Sequence, residues 1–115
     1  MGFLSMQFSE EKQGDVVILR INGRIDAITS PQLEKKVHSI IDTGHHKVLF
    51  DFSNVEYLSS AGMRLLLSAT KKLQTLKGKL VVCSVEQDVM DVIKMAGFNS
   101  ILTITTNEDK ALAEF

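Results

Sequence analysis

Apolar positions change their period several times along the chain, and each change marks an element. Val16 to Ile21 is a β-branched run that reads as a strand. The polar segment before it, Gln7 to Gln13, is anchored by Phe8, and Gln13-Gly14-Asp15 between them makes a turn, so the two segments predict a hairpin. Asn22-Gly23 alone suggests a tight hairpin turn, but Arg24 to Ile28 continues as a short extended piece. Ser30 followed by Pro31 then opens a helix, with Ser30 as N-cap, Pro31 at the first helical position and Glu34 near the first turn. Leu33, Val37, Ile40 and Ile41 share one side of that helix, which runs to about Asp42 and ends at Thr43-Gly44.

Val48 to Phe50 is the next buried strand, and the turn formers Asp51, Ser53 and Asn54 are expected to stop it. Met63, Leu66, Leu73 and Leu76, with Leu65 and Ala69 beside them, predict an amphipathic helix over 63–76. Ser59 and Ser60 lie where this helix must begin, and Lys77-Gly78 closes it. Lys79 to Ser84 is a further buried strand. Glu86 to Met95 follows as a helix with Val89, Val92, Ile93 and Ala96 inward and Gly97 as its C-terminal glycine. Ile101 to Ile104 is the last strand, and Asn107 caps a short helix reaching Glu114. Such alternation implies right-handed helical crossovers between parallel strands, with one antiparallel strand added by the hairpin. The fold class is therefore α/β, a mixed and mostly parallel sheet of about 4–5 strands packed against about four helices.

Composition narrows the functional classes. At 115 residues and 44% apolar content, the chain forms one domain with one core, spanning 1–115, and disorder of residues 1–5 stays open. A formal charge of -1 gives no electrostatic footprint for nucleic acid or an anionic membrane. The lone cysteine, Cys83, sits in an apolar run and reads as a buried thiol in a reducing compartment. No window is apolar enough for a membrane span, and Met1 to Met6 has neither a charged region nor the long apolar core of a signal peptide, so a cytoplasmic location is expected. Gly2 invites N-myristoylation, but Met6 stands where that motif needs Ser or Thr.

Ser60 is the candidate for chemistry. A serine at a helix start is suited to plain capping, worth about 1 kcal/mol, and equally to carrying a phosphate that the helix dipole favours. A hydrolase nucleophile elbow needs glycine two residues on either side; Gly62 satisfies one side and Leu58 fails the other. No histidine with an acidic partner can be assigned as base and Gly-rich phosphate loops are absent, which argues against an enzyme and a cofactor. His45-His46 lacks companion ligands at metal spacing and reads as a pair of turn residues. Met63, Met90 and Met95 read as core or partner-groove residues.

The stretch from Val48 to Met63 resembles the STAS domains, and within them the bacterial anti-sigma factor antagonists. That family has a strand, an Asp-containing turn, a short apolar pair and then an Asp-Ser-Ser/Thr-Gly-Leu/Met run whose first serine is the phosphorylation switch. By position the aspartate falls on Ser59, the switch on Ser60, the second hydroxyl residue on Ala61, the glycine on Gly62 and the last residue on Met63. Ser59 and Ala61 depart from the pattern. Gly23-Arg-Ile-Asp26 and Ala96-Gly97-Phe98 are further local likenesses, and the order of elements matches throughout. The resemblance implies a partner-binding face of Asp26, Ser59, Ser60, Ala61, Gly62 and Met63. The partners it implies are an anti-sigma factor that is also a serine kinase of the histidine-kinase-like ATPase type, and a serine phosphatase that resets the switch. The alternative it leaves open is a STAS scaffold module without a phosphate cycle, in a sensory, lipid-transport or permease-associated complex.

Overall fold

Strict alternation in the first apolar strand decides the layering. In the computed structural model, which describes residues 6–115, β1 (Met6–Gln13) and β2 (Val16–Ile25) form the hairpin. Then come α1 (Ser30–Asp42), β3 (Lys47–Leu58), α2 (Ser60–Thr75), β4 (Lys79–Cys83), α3 (Gln87–Met95), a 3-10 turn at Phe98–Ser100, β5 (Thr103–Thr105) and α4 (Glu108–Leu112). The expectations for residues 1–5 lie outside the described residues. The strands form one sheet in the order β1-β2-β3-β4-β5, antiparallel at β1/β2 and parallel at the other three pairs. Val17, Leu19 and Ile21 of β2 join the large core with Leu33 and Val37 of α1, Leu66 and Leu73 of α2, and Val89 and Ile93 of α3. Val16 and Ile18, pointing the other way, meet Leu49, Val81, Cys83 and Ala111 under α4. Three helices thus cover one face and the short α4 covers part of the other.

On the α4 face, alternation also places Arg20 beside Asp51 of the neighbouring strand. The Arg20 guanidinium donates to Asp51 (2.9 Å), Glu108 (2.6 Å) and Glu11 (3.0 Å), tying together β1, β2, β3 and α4. Burial pushes the Asp51 carboxyl up, but bonds from Ser53 and Arg20 outweigh it and leave the group below its ordinary value.

Four sequence expectations change in three dimensions. β3 does not stop at Asp51, Ser53 and Asn54 but continues to Leu58. Asp51 does accept the turn-like bond from the Ser53 amide (2.9 Å), yet this only shifts the register, and pairing with β2 resumes at Asn22/Asn54 and runs to Ile25/Leu58. A second shift follows between Gly23/Val55 and Arg24/Tyr57, where Gly23, at φ 100°, supplies the backbone freedom. The N-cap of α1 is Thr29 rather than Ser30, which is the first helical residue. In α3 only Val89 and Ile93 are buried, whereas Val92 and Ala96 face outward, because a nine-residue helix lying on the sheet buries a single narrow stripe. The last strand begins at Thr103, since the 3-10 turn takes up Phe98 to Ser100 and leaves Ile101 exposed. At the end of α2, Lys77 takes the left-handed conformation (φ 60°), while Gly78 is needed because a Cβ there would collide with the His46 carbonyl oxygen.

Candidate functional site

Ile25 and Leu58 are opposite one another at the carboxyl ends of adjacent parallel strands, so the segments that leave them emerge at one edge of the sheet. The amide of Ser59 donates to the Ile25 carbonyl (2.9 Å), which locks the two exits together. This is the usual place for recognition in an open α/β sheet, beyond the carboxyl ends of its strands.

The two serines divide their work. Ser59 is the N-cap of α2: its backbone is extended (φ -84°, ψ 173°), its Oγ accepts from the Gly62 amide at 3.2 Å, and its carbonyl accepts from Met63 at 2.9 Å. Capping by Ser59 leaves Ser60, the first helical residue, exposed with a hydroxyl that has no hydrogen-bond partner among the described residues. The first turn of α2 carries no acidic side chain, so the positive end of its dipole is uncompensated beside Ser60.

Beneath the turn, Gly62 acts through its size. A Cβ at this position would stand 2.6 Å from Leu58 Cδ1, 2.8 Å from Ile25 Cγ2 and 3.1 Å from the Ile25 carbonyl oxygen, so only glycine lets α2 start this close to the strand ends. Met63 is buried in the core. Of the residues singled out in the sequence, Asp26, Ser59, Ser60 and Ala61 reach the surface, and Gly62 and Met63 support them from below.

Asp26 organises the neighbouring loop. Its Oδ1 accepts from the amides of Ile28 (2.9 Å) and Thr29 (3.0 Å), and Arg24 Nε lies 3.8 Å from Oδ2. These partners, the Thr29 amide first among them, hold its carboxyl below the ordinary carboxylate value against the opposing effect of burial. Thr29 Oγ1 in turn accepts from the Asp26 amide (2.9 Å) and donates to the Arg24 carbonyl (2.8 Å). Asp26 is thus held rigidly, with its carboxylate charged, at the edge of the same surface as Ser60.

Three further residues were missed by sequence reasoning. Ile28, at 86% exposure, stands apolar in the loop that Asp26 closes. Tyr57 turns outward from β3 under the guanidinium of Arg24, 4.1 Å from the ring centroid. Arg64 lines a groove of about 430 Å³ between α1 and α2 with Ala27, Ser30, Glu34 and Ala61. The outward position of Tyr57 follows from strand alternation, but only once β3 is known to extend that far. His45 and His46 lie half-buried in the α1/β3 connection, where the His46 carbonyl accepts from the Lys79 amide (2.8 Å).

Comparison with known proteins agrees with this architecture. Residues 7–111 match the STAS domain. The putative anti-sigma factor antagonist BtrV of Bordetella bronchiseptica is 30% identical over 110 residues, covering 96% of this chain and 95% of that protein. The anti-sigma F factor antagonist of Paenibacillus polymyxa is 26% identical over 112 residues, covering 96% of each. Among solved structures, an anti-sigma factor antagonist from Mycobacterium paratuberculosis superposes with a TM-score of 0.87 at 23% identity, covering 96% of this chain and 93% of that one. The unphosphorylated anti-sigma factor antagonist SpoIIAA does so at 0.79 and 20%, covering 94% and 95%. With the family match spanning nearly the whole chain and the mostly parallel sheet, crossovers and serine-headed helix all in place, this protein belongs to the STAS-domain family.

Proposed function

We propose that the protein is an anti-sigma factor antagonist that works by phosphorylation-controlled partner switching. The observation that carries this reading is the division of labour at the start of α2: Ser59 caps the helix, so the hydroxyl of Ser60 is exposed and unused. Modification of Ser60 leaves that cap intact.

Unmodified, the surface formed by Asp26, Ser60, Ala61 and the exposed Ile28 docks on an anti-sigma factor that is itself an ATP-dependent serine kinase, and the docked kinase releases its sigma factor. Phosphorylation of Ser60 then places roughly -1.5 to -2 charges in the middle of that surface. A phosphate buried in an interface without a counter-charge from the partner readily removes about 2.7 kcal/mol of affinity, a factor of about a hundred. A serine phosphatase resets the switch. The domain binds and is acted upon, and the chemistry belongs to the kinase and the phosphatase.

The reading is supported by the names of its relatives and by the hydroxyl's geometry. It is tested by a pull-down from the native host's lysate with wild-type, Ser60→Ala and Ser60→Asp baits, followed by titration of the captured kinase. Ser60→Ala is expected to bind like the wild type and Ser60→Asp to bind at least tenfold more weakly. Equal affinity of the two variants, or capture by all three baits of the same membrane or lipid-handling proteins, refutes the switch.

A further inference from the structure

The proposed switch leaves a physical question: what receives the phosphate on the domain itself. Ser60 and Arg64 are four residues apart on α2, so they lie one above the other on the same helix face, roughly 5–6 Å between Cβ atoms. Helical side chains lean toward the N-terminus, which puts the turn that begins with Ser60 within reach of the long Arg64 side chain. Arg64 is exposed and makes no ion pair or side-chain hydrogen bond among the described residues. The nearest acidic side chain of α1 on the same groove is Glu34, and it does not engage Arg64 within ion-pair distance. Asp26 belongs to the loop beside them, but its carboxylate is already occupied by the Thr29 and Ile28 amides, with Arg24 nearby.

A second feature of the same groove is independent of Arg64. The Oγ of Ser30, at the start of α1, is the one buried side-chain polar atom without a hydrogen-bond partner among the described residues. Ser30 lines the groove with Ala61 and Arg64 while being only 6% exposed. Buried hydroxyls are almost always satisfied, so the Ser30 hydroxyl, unpartnered beneath the groove that Arg64 lines, is an unused donor. The first turn of α2 adds an uncompensated dipole of the same sign as the Arg64 charge.

We propose that Arg64 is the built-in counter-ion of phosphorylated Ser60, clasping the phosphate across one turn of α2 beside the groove that Arg64, Ala61 and Ser30 line. The inference rests on the reading of Ser60 as the modified residue. A guanidinium fork and a phosphate pair by two parallel N–H···O bonds, which a lysine cannot reproduce. The clasp lets the domain take on the added charge without refolding, and it also removes a free cation from the docking surface in the same event. Phosphorylation therefore changes that surface twice, by adding anionic charge at Ser60 and by turning Arg64 back onto it.

The test installs phosphoserine at position 60 of the full chain during translation, so no kinase is needed. Phosphorus NMR then follows its second ionisation, ordinarily near 6, in the wild type and in Arg64→Gln, Arg64→Lys and Ser30→Ala. The phosphate of the wild type is expected to ionise at least about half a unit lower than that of Arg64→Gln, with Arg64→Lys between them and Ser30→Ala shifted less than Arg64→Gln. Identical ionisation in the wild type and Arg64→Gln overturns the clasp. Its failure would leave the kinase-binding result untouched, and failure of kinase binding would leave the phosphorus titration unchanged, so the two proposals fall separately.

Discussion

Replacing Gly62 by alanine tests whether the position of the switch turn is set by close packing on the strand ends. The added methyl would stand 2.6 Å from Leu58 Cδ1 and 2.8 Å from Ile25 Cγ2, about 1 Å inside the carbon–carbon optimum of roughly 3.5–4.0 Å. Neither side chain can swing away, because Leu58 and Ile25 are 2% and 1% exposed and surrounded by core. The Ile25 carbonyl, 3.1 Å from the new methyl, is pinned by the Ser59 amide. The first turn of α2 must therefore lift. Overpacking of this kind costs about 1–3 kcal/mol, and the gain of up to about 1 kcal/mol from alanine's helix propensity offsets part of it. Taking the middle of that range, about 2 kcal/mol, less up to about 1 kcal/mol for propensity, the net loss is about 1–2 kcal/mol, which at the unfolding entropy of a domain this size lowers the melting temperature by about 4–8 °C. Thermal and urea unfolding would measure it, and amide NMR shifts should spread from Ser59 and Ser60 to Ile25. A melting temperature equal to or above that of the wild type would refute the packing argument, since propensity alone predicts stabilisation.

Ser59→Ala removes the cap and should cost about 1 kcal/mol, with faster hydrogen exchange at the Gly62 amide, whereas Ser59→Asp, which restores a capping oxygen, should keep that amide protected. Comparable exchange in Ser59→Ala and the wild type would show that the 3.2 Å bond contributes nothing. Asp51 is held below its ordinary value of 3.8, so it contributes stability that is present above that pH and lost as pH falls through its folded-state value. Asp51→Asn should therefore be less stable than the wild type at neutral pH, and the gap should narrow below about pH 4. Parallel stability curves for the two would exclude the bonds from Ser53 and Arg20 to the Asp51 carboxylate as the cause.

Much of this protein was legible in its sequence. The hairpin, the alternating strands and helices, the buried stripe of Leu33, Val37, Ile40 and Ile41, and the capping role of Asn107 all depend on neighbours close in the chain, and local periodicity or turn chemistry was enough to find them. The start of α2 was legible for the same reason, although the sequence left open which of the two serines caps it. Wherever the deciding partner lay far along the chain, local signals misled. Asp51, Ser53 and Asn54 have the chemistry of a stop, but β2 alongside offered backbone partners that carried β3 on to Leu58. Ser30 has the chemistry of a cap, yet the bonds among Asp26, Thr29 and the Arg24 carbonyl moved the helix start and left its hydroxyl unpartnered. The convergence of Asp26 with Ser60, the fit of Gly62 against Ile25, and the exposure of Ile28 and Tyr57 were decided by tertiary structure alone. They follow from setting two strand ends side by side, a pairing between residues more than thirty apart that no local pattern encodes.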